Sequence, residues 1–409
     1  MDEDMDFEVV VVGAGIIGAW VAYNLAREGR AVAVIDPRPG GGASSGNAGM
    51  LVPSYCVPMS NPAVLWSGLR TLLQSDGTVS LARPMSMATL GWMARFAWQS
   101  RPGRASRDAS HLCAMAQRSS ASYADFADAE GLDIGLRQSG WLHAVRDGKL
   151  LRQEARAAEK LGKFGVQSRV LSRAETHAFE PGLSDEISGS VFFPDDAAVD
   201  PAVTTDALLA AATRHGAVAI SDEVVDTETD SSGDVFVTTA TRRIRTRVVV
   251  LAAGTLTSSL AKRCGIKIPR IEPGYGWSVV LPTPEAITAT SLISADDHVV
   301  INAGPSSVRI TGGMRFGADA HISAARSSDF IELRSAAERL VPRIMEIEAT
   351  GNLWSGARPM TASGLPVVCA FGPNHVVAAG HGTLGMTLAP DTATAVVREL
   401  NALITRRVL

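Results

Sequence analysis

Val9-Val-Val-Val12-Gly13-Ala-Gly15-Ile-Ile17-Gly18 decides the fold of this chain. Four consecutive Val residues are the pattern of a strand buried on both faces of a parallel sheet. The glycines mark a tight turn, and a helical pattern then runs to about Arg27, with Gly29 where a C-terminal cap belongs. A second apolar run, Ala31-Val-Ala-Val-Ile35, closes on Asp36. Each residue type has a mechanical use in this order. Gly13 permits the turn, Gly15 lets the backbone approach a pyrophosphate, and Gly18 lets the helix pack on the strand. Ile17 stands in the first helical turn, whose positive end faces the phosphates. Asp36 can accept from ribose hydroxyls, and Pro37 and Arg38 continue that turn. Glycine spacing alone is a weak signal, but strand, turn, helix, strand and acid within about 30 residues form a specific one. An acid at 36 suits an unphosphorylated ribose, as in NAD or FAD.

The rest of the composition narrows the choices. The chain has 409 residues, 38 basic against 42 acidic, for a formal charge of −4. That length suggests two or three domains, and the balance leaves no footprint for nucleic acid and no polybasic membrane patch. Cys56, Cys113, Cys264 and Cys369 are scattered without CxxC spacing, which argues against a disulfide framework, a zinc ribbon and a dithiol redox centre. No metal site is expected. The acidic start, Met1 to Glu8, runs straight into the first strand and reads as no signal peptide. The apolar stretch Val9 to Trp20 is broken by glycine and too short to span a bilayer. The expected location is the cytoplasm, with peripheral contact with the inner face of the membrane left open.

Three further segments favour FAD over NAD. Gly40-Gly-Gly-Ala-Ser44-Ser45-Gly-Asn47-Ala-Gly49-Met50 is a long loop of small residues that can wrap a second phosphate or a flavin ring. Val248 to Leu251, followed by Ala252-Ala253-Gly254, reads as another buried strand returning to the same sheet. Asn374 to Ala379 forms a further strand before a second glycine loop, Gly380-His381-Gly382-Thr383-Leu384-Gly385-Met386-Thr387, and a last helix around Asp391 to Leu403. A cofactor touched at the start, middle and end of the chain is long. No second GxGxxG unit is present, so a separate NAD(P)H site is not expected and the organic substrate must itself reduce the flavin. With the dithiol path also excluded, an oxidase or a dehydrogenase is left.

The chain resembles the D-amino-acid-oxidase superfamily of flavoproteins, above all the bacterial FAD-dependent D-amino-acid dehydrogenases and, more distantly, glycine oxidase. The resemblance is carried by Val11 to Gly18, Gly46-Asn-Ala-Gly49, Trp354-Ser-Gly-Ala-Arg358-Pro-Met-Thr-Ala-Ser-Gly-Leu-Pro366 and Gly380 to Pro390. It implies an α/β fold with a Rossmann-type FAD-binding domain and an interleaved substrate domain on a mostly antiparallel sheet. The expected segments are 1–84, 196–270 and 351–409 for the FAD domain, and 85–195 and 271–350 for the substrate domain. Helical patterns at His111 to Glu130 and Lys149 to Lys163, and alternating strands through 270–315, agree with it. Val224 completes the expected cofactor contacts. Ser44 to Met50 lacks the histidine through which some relatives tether flavin, so the expected FAD is non-covalent.

The matching arginine in the family binds the amino-acid carboxylate, which makes Arg358 the first expected substrate contact. A guanidinium offers two parallel N–H donors to a carboxylate, and Pro359 restricts the backbone there. Val300 stands where glycine oxidase places an active-site tyrosine. Tyr275 and His298 are the candidates for a replacement contact, and Arg315 for a second anion contact. The expected reaction is hydride transfer from Cα of an amino acid, a D-amino acid first, to flavin N5. The imino acid then hydrolyses to a 2-oxo acid and ammonia, with electrons passing to a quinone or another acceptor. No general base is required, since the amine lone pair drives the hydride out. Two alternatives stay open within the class: a D-proline or hydroxyproline dehydrogenase, and an oxygen-using glycine or sarcosine-type oxidase. An electron-relay subunit of a larger complex is the alternative outside it.

Overall fold

The computed structural model describes residues 6–57, 60, 79–81, 85–317, 326–348, 351 and 353–408. The first five residues of the acidic start and the domain borders expected at 84 and 350 lie outside the described residues.

Strand β1 (Asp6–Val12) leads into a helix (Ile16–Arg27) and then β2 (Val32–Ile35), parallel to β1. Gly29 lies just beyond the helix in the left-handed region (φ +79°), and its N–H bonds the Ala26 carbonyl. Val9 and Val11 point into one apolar layer and Val10 and Val12 into another, so β1 is buried on both faces. The first layer is closed by three further helices, Pro102–Glu130, Pro201–Arg214 and Gly385–Val408.

Among the described residues this sheet has eight strands. Two-residue β3 (Met50–Leu51) pairs with β8 (Ala197–Ala198) outside it, and β4 (Val79–Leu81) also lies outside it. The strands from the middle of the chain are β9 (Val218–Ile220), β10 (Val224–Thr229), β11 (Val235–Thr239) and β12 (Arg243–Leu251), and those from its end are β18 (Val367–Phe371) and β19 (His375–Ala379). β12 runs parallel to β1 along one edge. Its other edge is shared: the first half pairs antiparallel with β11, and Val249–Leu251 pair parallel with β19. That division brings the C-terminal segment beside the first glycine turn.

Among the described residues a second sheet has nine strands and is mostly antiparallel. β13 (Ile271–Pro282), β14 (Ser291–Ser294), β15 (Val299–Ala303) and β16 (Ser307–Phe316) form its middle. β5 (Trp141–Val145) adds to β14 and β4 to β16, both in parallel, so the sheet is mixed at those two joints. β7 (Gly189–Phe193) and β6 (Arg169–Ser172) continue it antiparallel. β17 (Leu353–Thr361) pairs along its whole length with β13. The chain thus completes the edge of this sheet before β18 and β19 return it to the first one.

The pattern His111 to Glu130 falls inside Pro102–Glu130, and Lys149 to Lys163 matches Gly148–Gly162 except for Lys163, which caps its end. All four cysteines are free, Cys56 and Cys113 buried and Cys264 and Cys369 half-buried. Among the described residues no helix is long and apolar enough to cross a membrane.

Candidate active site

The carboxyl ends of β1 and β12 meet at Gly13. Its φ of +104° and a Cβ position only 2.5 Å from the Ala252 carbonyl oxygen exclude any side chain there. This is where strand order leaves β1 in both directions, the place at which open α/β sheets bind ligands. Asp36, at the end of β2, accepts from Ala14 N at 2.9 Å and from Arg38 N at 2.8 Å. Its carboxylate therefore lies at the mouth of the glycine turn, while Pro37 and Arg38 are exposed beside it. Ser44 Oγ accepts from Ile16 N at 2.9 Å and caps the first helix across 28 residues of chain. Ala253 lies against the same turn, and Gly254 opens the short helix Gly254–Leu256 that follows it. Val224 is buried in the apolar cluster with Ile35 and Ile220, so only its backbone can face a ligand.

The loop 42–52 is held from four sides. Arg309 donates to the Ser45 carbonyl (3.2 Å), Asn302 Nδ2 to the Ala48 carbonyl (2.7 Å), and Val199 N to the Gly49 carbonyl (2.9 Å). Thr387 Oγ1 donates to the Met50 carbonyl at 3.0 Å and accepts from Val52 N at 3.2 Å. Within the loop, Asn47 Oδ1 accepts from Gly49 N. The N-terminal loop is thereby bonded to the start of the last helix.

The second glycine loop is tied to β17. Gly382 N donates to the Pro359 carbonyl (2.9 Å), and Met360 bridges to His381. His381 is buried, its Nε2 bonded to Thr392 Oγ1 at 2.9 Å, and burial drives its pKa down to about 3. It is a neutral imidazole at working pH. Among the described residues its buried Nδ1 has no hydrogen-bond partner. A cleft beside it is lined by Tyr55, Val57, Met360, Thr361 and the backbone from Gly380 to Leu384.

Arg358 is two residues before Met360 on the same face of β17. It crosses Gly276 of β13, where a Cβ would meet its guanidinium at 2.1 Å. Nη1 donates to the Gly313 carbonyl at 2.7 Å. Among the described residues no acidic side chain pairs with it, and burial lowers its pKa to about 10. A crowded cation without an anion is costly unless a ligand supplies one.

Three candidates are not brought to it. Arg315 is buried in an ion pair with Asp329 (2.7 Å) and stacks over Trp277 (4.5 Å to the ring), so its charge is already neutralised. Tyr275 pairs with Ala357, lies on the opposite face of the sheet from Arg358 and packs against the apolar layer there. His298 sits exposed, at φ +51°, between β14 and β15. Strand alternation decides the first two: neighbouring residues on a strand face opposite ways.

Trp354, quoted from sequence only within the run that carries the resemblance, was not named as a site residue although the period-two signal was present. It shares the face of Arg358, and Gly46 and Gly356 both need their missing Cβ to accommodate its ring. Tyr55 left no local signal.

These residues fit a flavin dinucleotide: a turn without room for a side chain, an acid at its mouth, and a buried imidazole nitrogen without a partner at the far end. The comparisons agree. The model of the DAO family, described as FAD dependent oxidoreductase, matches residues 8–398. A D-amino acid dehydrogenase of Rhizobium johnstonii is 31% identical over 401 residues, covering 94% of each chain, and one of Vibrio cholerae is 28% identical over 397 residues, covering 95% of this chain and 93% of its own. Glycine oxidase from Geobacillus kaustophilus superposes with a TM-score of 0.77 at 24% identity, over 97% of this chain and 95% of its own. The chain belongs to the DAO family of FAD-dependent oxidoreductases.

Proposed function

We propose that this enzyme oxidises an amino acid at its Cα–N bond, a D-amino acid in the first instance, and that the 2-oxo acid and ammonia form after hydrolysis of the imino acid. One observation carries this reading: Arg358, crowded, cationic and without an acidic partner among the described residues, on the strand that is bonded to the His381 loop. FAD, when bound, supplies a two-electron acceptor for the hydride. The chain's own residues do the rest. Arg358 keeps Nη2 and Nε for a carboxylate while Nη1 is held by Gly313, which fixes the orientation of Cα. Neutral His381 offers no proton to the site at working pH. The backbone N–H groups of Thr383, Gly385 and Met386, at the positive end of the last helix, would favour negative charge on a flavin bound there. A quinone or another carrier takes the electrons on, and the cofactor is held without a covalent bond. We read the chain as two interleaved units, the dinucleotide unit comprising 1–84, 196–270 and 351–409.

The test is anaerobic mixing of the yellow holoenzyme with a panel of D- and L-amino acids, glycine, sarcosine and D-proline. Bleaching by D-amino acids supports the reading; bleaching by none of the panel overturns it. Arg358→Ala should cost about 2–5 kcal/mol in kcat/KM, the loss seen when one partner of a buried charge pair is removed.

A further inference from the structure

The sheet face that carries Arg358 can be followed strand by strand, because side chains of directly paired residues share a face. Trp354 of β17 pairs with Ser278 of β13, Ser278 with Thr311 of β16, and Thr311 with Val300 of β15. Val300 pairs with Ile293 of β14, and Ile293 with His143 of β5. Arg358, four residues from Trp354 along β17, therefore looks out over the same face as His143. Ile293 and Val300 share an apolar cluster with Leu384 of the second glycine loop, so this stretch of the face is turned toward that loop.

The ring of Tyr55, which lines the cleft beside the His381 loop, rests edge-on against His143 at 6.3 Å between centroids. His143 is packed in turn on Phe193 at 4.7 Å. Burial and Glu154 raise the pKa of the Tyr55 phenol while Arg358 lowers it, so the two charges, from opposite ends of the row, both lie within reach of one ring. The short helix that carries this ring, Pro53–Tyr55, is anchored one residue earlier. Buried Ser54 donates from N to Asp196 Oδ1 at 3.2 Å and from Oγ to Oδ2, across 142 residues of chain.

His143 is 5% exposed, and it is polar in an otherwise apolar wall. Its Nδ1 faces the carboxylate of Glu154, from the helix Gly148–Gly162, at 3.7 Å. Nε2 points out of the other side of the ring, buried and, among the described residues, without a hydrogen-bond partner. A carboxylate beside Nδ1 favours the tautomer that keeps its proton there and leaves Nε2 an acceptor. A buried acceptor left unmet is costly, and a donor brought by a ligand removes that cost.

We propose that His143 is a specificity-determining residue whose Nε2 accepts a hydrogen bond from the substrate's side chain, so that the preferred amino acid ends in an N–H or O–H donor. Arg358 holds the carboxylate, Ile293 and Val300 give the methylene groups an apolar floor, and the Tyr55 ring closes the wall. Glu154 behind the imidazole repels a side chain that ends in a carboxylate. The assignment deepens the amino-acid reading above and rests on it.

The test is anaerobic bleaching of the holoenzyme by D-glutamine, D-norleucine and D-glutamate, with kcat/KM compared within each protein so that the folded fraction cancels. Wild type should prefer D-glutamine to D-norleucine, a chain of similar length without a donor, by about tenfold. His143→Phe, and His143→Leu should the first not fold, should abolish that preference while D-norleucine is oxidised as before. Glu154→Gln should improve D-glutamate relative to D-glutamine by about threefold. A wild type that takes D-norleucine as readily as D-glutamine overturns the assignment and leaves the amino-acid reaction standing. So does an unchanged ratio in the His143 variants, whether or not both rates fall together, since a residue that only packs the wall slows both substrates alike. If no amino acid bleaches the flavin, the reaction is wrong and the assignment falls with it.

Discussion

Arg358 and Arg315 show how much a partner decides. Both lie on strands of the second sheet, and in sequence each stands two residues after a glycine, Gly313 and Gly356. Arg315 has Asp329 at 2.7 Å and the Trp277 ring beneath it, and it is a structural cation. Arg358 has a carbonyl, a thioether and no acid among the described residues, and it is left with donors to give. Asp196 is the other residue whose setting departs from its type. Burial pushes its pKa from 3.8 up to about 7. The folded state therefore holds a proton there that the unfolded chain releases, so its contribution to stability is full below about pH 4 and is lost as pH rises through 7. Asp196→Asn removes that titration. Its stability relative to wild type should grow from pH 4 to 7.5 and then level off, by on the order of a few kcal/mol. Denaturant midpoints across that range check it, and a difference that stays flat with pH would contradict a raised Asp196.

Between elements, the joint that matters is the turn from β1 into the first helix, packed on the end of β12. Gly13 sits at φ +104° with the Ala252 carbonyl 2.5 Å from where a Cβ would be. Gly13→Ala must move backbone on two strands or open the turn, costing on the order of 3 kcal/mol. Thermal unfolding should show that loss even in the apoprotein, and FAD affinity should fall with it. An apoprotein of unchanged stability would mean that the turn is not built against β12. The reading of this joint from sequence was correct in kind, because a buried strand, a glycine turn and a helix are local patterns with a period of their own. The reading of β13 and β16 was correct as antiparallel strands. It missed which face each side chain takes, because the shared face of Arg358 and Gly276 depends on the register of β17 against β13. Register is set by pairing across more than 70 residues of chain and leaves no mark in either strand alone.

Across the whole molecule, the expected site is assembled from the chain's start, its middle and its end, with Thr387 bonded to Met50 and Val52, and Gly13 packed on β12. A ligand that joins these segments stabilises the fold by linkage. Removing FAD at acid pH and returning the apoprotein to neutral buffer should lower its stability by about 4 kcal/mol relative to protein held at a thousandfold excess of FAD over Kd. Re-addition of FAD should restore the unfolding midpoint in a concentration-dependent way, and a midpoint indifferent to FAD would refute the assembly of these loops around it. The sequence by itself determined the glycine turn between β1 and its helix and the family, and it singled out Arg358 as the residue to test, because glycine turns, buried strands and a specific run such as Trp354 to Pro366 are local chemistry. Only the tertiary structure decided that Tyr275, His298 and Arg315 stand away from the cleft and that Tyr55 lines it. Those outcomes depend on sheet face, on Asp329 arriving from a helix and on Asp196 clamping a distant loop, and such contacts between remote segments exist only once the chain has closed on itself.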